Sequence, residues 1–423
     1  MIRTTDRNLQ KMKYDVIIIG GGPAGIMAAL TAADYGKNIL ILEKRERLGR
    51  KLLITGKGRC NLTNNCTSEE FFANVPVNPR FLYSAYSQFS AQDTMAFFED
   101  LGVELKTERG NRVFPTTDKA MTIVDALVNA VKSKAVTVKN CEVSSLIFED
   151  GKAIGANAEN TTFFADCVCV ATGGKSYPLT GSTGDGYKFA ASAGHKIVPP
   201  KPSLVPIVTE ERWVSEVMGL SLKNCTLTLT DTKNNKRLFS EMGELLFTHF
   251  GLSGPLVLSA SSHIREPERD RYLLEIDLKP ALDFQTLDNR LQKDFSGNIN
   301  KNIVNSLDKL LPSKIISSVI RLSHIPGDKK VNQITREERH RLVSVLKAFP
   351  LHFREFRPIE EAIITSGGVC VSEIYPKTME SKLCSGLYFA GEVIDVDAYT
   401  GGFNLQIAFS TGYAAGTAMG ERY

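Results

Sequence analysis

The apolar positions of the N-terminal region come in blocks separated by glycine. Residues 16–19, VIII, are unbroken apolar, GGG follows at 20–22, an Ala-rich stretch fills 23–35, and apolar residues return in NILILEK. A short apolar run bounded by turn residues reads as a buried strand, so this pattern predicts strand, glycine turn, helix and second strand. Further on, VTVKNCEVSSLIFEDGKAIGANAEN reads as two or three hairpin-like strands with turns at Gly151 and Gly155, and VCVATGG at 168–174 as a buried strand ending in small residues. Near the C-terminus, LYFA at 387–390 reads as another buried strand. Gly401-Gly402 then introduce a helix starting near Asn404, in which Ala408, Ser410, Gly412, Ala414, Ala415 and Gly416 are all small. A helix with so little bulk is suited to lie close against another backbone.

Between these blocks the pattern changes. IVPPKPSLVPIV places four prolines within 199–206, which suits a linker or an edge crossing. LTLTDTKNNKRLF and RYLLEIDL then alternate as strands, with Asn234-Asn235 as a hairpin turn, and residues 284–346 turn helical and polar. The expected organisation is a nucleotide-binding domain at 1–199 and 353–423, interrupted at 200–352 by a domain that is β-rich and then helical.

Chemistry enters with the first turn. Gly20, Gly22 and Gly25 form G-x-G-x-x-G, with Pro23 and Ala24 opening the helix. Gly20 permits the tight turn, Gly22 lets backbone approach a pyrophosphate, and Gly25 lets helix and strand pack. Glu43 ends the second strand 21 residues after Gly22, where a carboxylate accepts hydrogen bonds from an adenosine ribose. Strand, helix and acid together indicate a dinucleotide, without saying which. Ala171, Thr172 and Gly173 lie at the end of their strand, where open α/β sheets bind ligands. Gly391, Glu392 and Asp395 follow the C-terminal strand, and Gly402, Phe403 and Asn404 begin a helix whose start favours negative charge.

Composition narrows the classes. Of 423 residues, 43% are hydrophobic and 23% charged, ordinary for a globular chain, and a net charge of +4 makes nucleic acid an unlikely main partner. No run of about 18 apolar residues suggests a membrane span. MIRTTDRNLQKMK lacks the apolar centre of a secretory signal. The eight cysteines include no C-x-x-C, which suits reduced thiols in a cytoplasm, and the six histidines show no metal-ligand spacing. One stretch stands apart: GRKLLITGKGRCNLTN, 49–64, holds Arg50, Lys51, Lys57 and Arg59 without an acid. Such a segment repels itself and calls for an anion.

GGGPAG, the 49–64 stretch, ATGG, TGSTGDG near 180, LLFTHFGLSGP and GEVIDVDAYTGGFNLQ together resemble the bacterial BaiN-like NAD(P)/FAD-dependent oxidoreductases, a family of aminoacetone oxidases and dehydro-bile-acid reductases. The blocks span 14–416, and GKGRCNLTN and TGGFNLQ are long and specific. The resemblance implies a Rossmann-like FAD-binding domain of the glutathione-reductase type with an inserted domain. It implies extended FAD passed by Val143 at the adenine, with Lys44 and Lys51 along the pyrophosphate and Thr55, Gly56, Arg59 and Asn61 as cofactor contacts. The activity implied is oxidoreduction of a small molecule through flavin N5, with NAD(P)H as a transient reductant and dioxygen or an unsaturated compound as acceptor. The alternative is a flavin-containing RNA-modifying module. His249, before a Gly-Ser-Gly-Pro turn, and Tyr177, after ATGGKS, are the acid–base candidates, each of which reads equally as a loop histidine or a packed aromatic. Nothing in the sequence sets an oligomeric state.

Overall fold

The computed structural model describes residues 12–159 and 161–422. The N-terminal stretch weighed above as a signal lies almost entirely outside them. Two compact units emerge, one from the residues up to Pro202 together with Ile363 onward, the other spanning Ser203–Ala362.

The first unit is built on a seven-stranded sheet in the order Thr137–Asn140, Ile39–Glu43, Met12–Ile19, Thr161–Val170, Lys152–Ala158 and Val143–Glu149, with Leu387–Phe389 also joined to Thr161–Val170. The strands Thr137–Asn140, Ile39–Glu43, Met12–Ile19 and Leu387–Phe389 run parallel to their neighbours, and the meander 143–170 is antiparallel within itself. Val16, Ile17 and Ile18 are completely buried, as an unbroken apolar run requires. The first helix, Pro23–Ala33, packs against the C-terminal helix, Phe403–Glu421. A Cβ on Gly412 would come 2.4 Å from the Ala24 carbonyl oxygen and one on Gly416 2.6 Å from that of Ala28. The small residues of the last helix therefore serve helix–helix approach along its length, and any ligand role belongs to its start alone.

The second unit has its own core around a closed six-stranded barrel: Ile207–Thr209, Gly251–Ser253, Lys236–Phe247, Ser221–Asp231, Tyr272–Asp277 and Phe349–Phe356. Asn235 takes φ +51° in the hairpin between the two longest strands. Helices Phe284–Ser296, Ser313–Leu322 and Arg336–Lys347 lie between the last two barrel strands. The boundary differs from the expected return at 353. Phe353 is fully buried and pairs with Thr209, because PLHFREF alternates apolar and polar and completes the barrel. At the other end, Ile197–Ser203 pairs with Ile364–Val369, so Pro199, Pro200 and Pro202, expected in a linker or an edge crossing, stand in a strand of a two-stranded sheet. Among the described residues no helix is long and apolar enough to cross a membrane.

Candidate functional site

The glycine turn divides its duties. Gly20 has φ +104°, and a Cβ there would sit 2.5 Å from the Ala171 carbonyl oxygen; a Cβ on Gly25 would sit 2.0 Å from the Gly20 carbonyl oxygen. Both positions are closed by backbone. Around Gly22 a Cβ would meet nothing within 4 Å, and Gly22 is the N-cap of the first helix with no side-chain cap. The helix thus presents its first N–H groups and positive end to open space beside Gly22.

Glu43 stands at this turn. Its carboxylate accepts the Gly21 N–H at 2.7 Å on one oxygen and the Arg45 N–H at 2.8 Å on the other, leaving lone pairs on both. The Cys141 N–H and the Asn140 side-chain amide donate to the Glu43 backbone carbonyl, each at 3.1 Å, which draws the following strand alongside. Val143 there lines a cleft of about 360 Å³ with Glu142, Ser144, Asp185, Lys188 and Phe189. Lys44 reaches the rim, donating to Asp185 at 2.6 Å and to Thr183. Burial pushes the Asp185 carboxyl up, but hydrogen bonds from Lys44 and Thr183 outweigh it and hold the group below its usual range.

The C-terminal block closes on the same turn. Gly391, at φ +75°, donates its N–H to Thr411 at 2.9 Å, and a Cβ on it would lie 2.8 Å from that of Ala24. Glu392 is the hub of a network: it accepts from Lys51 at 2.6 Å, Ser176 at 3.0 Å and the Thr365 N–H at 2.9 Å. Asp395 accepts from Asn78, and Ser366 donates to the buried Asp397 at 3.0 Å.

Two of the four cations of the 49–64 stretch find their anions inside the protein, while Arg50 and Lys57 are exposed and pair with no carboxylate among the described residues. Lys51 is paired with Glu392. Arg59 donates to Glu108 and Asp118 and lies 4.1 Å over the Phe114 ring. Hydrogen bonds to Glu108 and Asp118 raise the Arg59 guanidinium further, so it stays charged. Carboxylates from distant segments pair the two cations that the sequence reading placed beside phosphate. Thr55 donates to the Leu52 carbonyl, and Gly56, Lys57 and Cys60 take positive φ, which gives the loop its shape. Burial pushes the Cys60 thiol up to about 12, and all eight cysteines are free, so no dithiol stands here.

The start of the last helix is fastened internally. A Cβ on Gly402 would come 2.3 Å from the Thr63 carbonyl oxygen, and Phe403 is buried beside Phe71. The Asn404 side chain bonds Ala398 N–H and O and the Tyr399 carbonyl. The Asn404 side chain thus clamps the loop before the helix. Gln406, fully buried, accepts from Thr63 and Thr94 and donates to the Phe89 carbonyl and Ser410. Sequence reading passed over Gln406, Ser176, Thr365, Asp185, Glu108 and Asp118, since a lone polar residue, whether in a helix, a strand or a loop, carries no periodic signal.

The HI0933-like protein Rossmann domain family matches residues 14–418. The chain belongs to this family. It is 31% identical over 418 residues to the 3-dehydro-bile acid delta(4,6)-reductase of Clostridium scindens, covering 96% of this chain and 98% of that one. It is 32% identical over 403 residues to the ribosomal RNA dihydrouridine synthase of Escherichia coli, covering 95% and 97%. In fold it resembles the 3-ketosteroid-delta4-(5alpha)-dehydrogenase of Rhodococcus jostii, with a TM-score of 0.53 over 99% of both chains at 14% identity.

The acid–base candidates of this HI0933-like chain sit in different units. Tyr177 is half-buried at φ +52°, and burial raises its phenol. His249 is exposed in the turn 248–251, edge-on to Phe250 at 5.0 Å. A third group, Tyr187, has a buried hydroxyl with no partner; burial and the charges of Glu392 and Asp395 raise it.

Proposed function

We propose that the chain is an FAD-dependent reductase that saturates a carbon–carbon double bond conjugated to a carbonyl. The observation that carries it is the joined cradle: Gly22 opens onto the uncapped first helix, Glu43 stands beside it with free lone pairs, and Gly391 brings the C-terminal block against Ala24. Two buried polar atoms near this cradle fit an extended dinucleotide. Thr172 Oγ1 and Asn61 Oδ1 have no protein partner, Thr172 beside Gly20 and Asn61 two residues from the Thr63 that abuts Gly402.

In this reading the first helix binds the pyrophosphate, Glu43 the ribose and the Val143 cleft the adenine. Thr55, Gly56, Ala171 and Gly173 line the path by backbone, and Lys44 acts from the cleft rim. Lys51 and Arg59 hold the 49–64 loop in shape through their carboxylates and reach the cofactor indirectly. Held there, FAD would supply hydride transfer between NAD(P)H and an electron-poor carbon. The start of the last helix, held by Gln406 and Asn404, offers N–H groups to developing negative charge. For the proton that accompanies hydride, Tyr177 is kept in its donating form by burial, and His249 is the solvent-exposed candidate.

The bond type comes from the relatives. A bile-acid delta(4,6)-reductase and a dihydrouridine synthase act on different molecules, yet each name describes saturation of a double bond conjugated to a carbonyl. The reading is tested by anaerobic reduction of the purified yellow protein with NADPH or NADH, followed by mixing with 2-cyclohexenone, a 3-keto-4-ene steroid or a uridine-containing oligonucleotide. Return of the oxidised flavin spectrum with a saturated product supports it. Flavin that is reduced but reoxidised only by dioxygen sinks it.

A further inference from the structure

We propose that the helical segment of the inserted unit, residues 279–347, is a docking surface for RNA. Its purpose rests on the reductase reading, with uridine as the conjugated substrate, but the binding is testable apart from it. The segment holds 13 Lys and Arg against 7 Asp and Glu, a net +6, which exceeds the +4 of the whole chain. The remainder is therefore slightly acidic, and the whole-chain value conceals one cationic region.

Four of its seven acids are committed; Asp308, Asp328 and Glu337 are exposed. Asp288 pairs with Arg339, Asp294 with Arg290 and Glu338 with Lys329, while Asp283 caps the first helix through the Thr286 N–H. Among the described residues, Lys293, Lys301, Lys309, Lys330, Arg336 and Arg341 are exposed and have no carboxylate partner. Two of them are set side by side: Asn302 bridges Lys330 in antiparallel fashion, and the Val331 N–H donates to the Lys301 carbonyl at 3.0 Å. Arg341 is steadied by donation to the Ser323 carbonyl at 3.2 Å. Burial and the charge of Arg290 push the Lys279 ammonium down, a sign of crowded like charge.

An aromatic pair lies among these cations. Phe284 is 41% exposed and meets His340 edge-on at 5.6 Å, and Arg336 stands one helical turn before His340 on the same face. Unpaired cations interleaved with an exposed ring suit a phosphate backbone with unstacked bases. A membrane would need a continuous apolar face, whereas the large exposed apolar side chains here are the separated Phe284 and Ile299. Relatives named as ribosomal RNA dihydrouridine synthases align over nearly the whole chain, this segment included.

The test uses the full-length, flavin-loaded protein and two probes, a uridine-rich single-stranded 20-mer and a ribosomal RNA hairpin, in titrations at 50 and 200 mM salt. Wild type is expected to bind at least one probe and to lose roughly tenfold or more in affinity across that salt range, since each neutralised phosphate contributes a slope of about −0.7 to −0.9. The double variant Lys301→Glu, Lys330→Glu should bind roughly tenfold more weakly than wild type at 50 mM salt with unchanged flavin content. Lys132→Glu, an exposed charge reversal in the other unit, should bind as wild type does. Failure to bind either probe at 50 mM salt, or equal weakening by Lys132→Glu, overturns the proposal. Reduction of 2-cyclohexenone in the same preparations reports on the reductase reading separately: a protein that reduces the enone but ignores RNA keeps the activity and loses the surface, and the reverse result keeps the surface alone.

Discussion

Two cation-rich regions of this chain differ in where their central cations find anions: Lys51 and Arg59 meet carboxylates from distant segments, Lys301 and Lys330 do not. In the 49–64 stretch, Lys51 and Arg59 repel each other along the sequence but are drawn onto Glu392, Glu108 and Asp118 from distant segments, so the loop is pinned. In 279–347 the acids are outnumbered, and exposed cations such as Lys301 and Lys330 have no carboxylate partner among the described residues. The difference shows that a run of lysines and arginines does not by itself mark an anion site. What distinguishes them is whether the folded chain brings its own carboxylates within about 3 Å, where a charge-assisted hydrogen bond forms.

The comparison breaks hardest at Glu392. It is 15% exposed and its partner Lys51 22%, so Glu392→Ala leaves an ammonium without its anion in a largely enclosed place and also strands the Ser176 hydroxyl and Thr365 N–H. We expect about 3 kcal/mol of lost stability, read as a lower midpoint in urea, together with lost flavin. A variant as stable as wild type would mean the pinning of Lys51 is incidental.

Next in size is Gly22→Ala, which separates cofactor binding from folding in the first unit. A Cβ there meets no protein atom within 4 Å, so the melt of the apo form should be unchanged. FAD affinity should fall on the order of tenfold, because the methyl intrudes where the pyrophosphate lies. Unchanged affinity would move the phosphates away from this turn.

Acid sharpens the contrast. The hydrogen bond from Arg59 holds the Glu108 carboxyl below its usual range, and those from Lys106 and then Arg59 do the same for Asp118. A carboxyl depressed in the folded state stabilises above its unfolded value and loses that contribution as pH falls through the folded one. Protection of the amides of residues 55–60 from hydrogen exchange should therefore weaken below about pH 4. Arg59→Ala should abolish that pH dependence while reducing FAD affinity less than Gly22→Ala does. Equal or greater loss with Arg59→Ala would return the guanidinium to the phosphates.

The smallest effect belongs to the second region. Lys301→Glu with Lys330→Glu should shift folding stability by no more than about 0.5 kcal/mol in thermal melts, since solvated side chains without partners contribute little. A large loss would show that hidden ion pairs hold the helical segment, and the comparison with 49–64 would collapse.

Much of the nucleotide unit was legible in the sequence because its signals are local. An unbroken apolar run makes a buried strand, glycines at fixed offsets make a turn, and Glu43 falls beside that turn because a helix and strand of ordinary length return there. Small residues announced a close helix approach, and Gly412 and Gly416 meet Ala24 and Ala28 as such residues allow. Less was legible where one element borrows from another. The alternation in PLHFREF is a strand signal, but only barrel closure against Thr209 decides that it belongs to the inserted unit.

The chain by itself determined the glycine turn, the acid after it, the small-residue helix and the basic stretch at 49–64, because each is written within a few tens of residues. Tertiary structure alone decided which anion each cation meets. Lys51 and Glu392 are 341 positions apart, and Arg59 and Glu108 are 49 apart. Coulomb attraction acts through space and is short-ranged in salt water, so no spacing along the chain can state which charges will end within reach of one another.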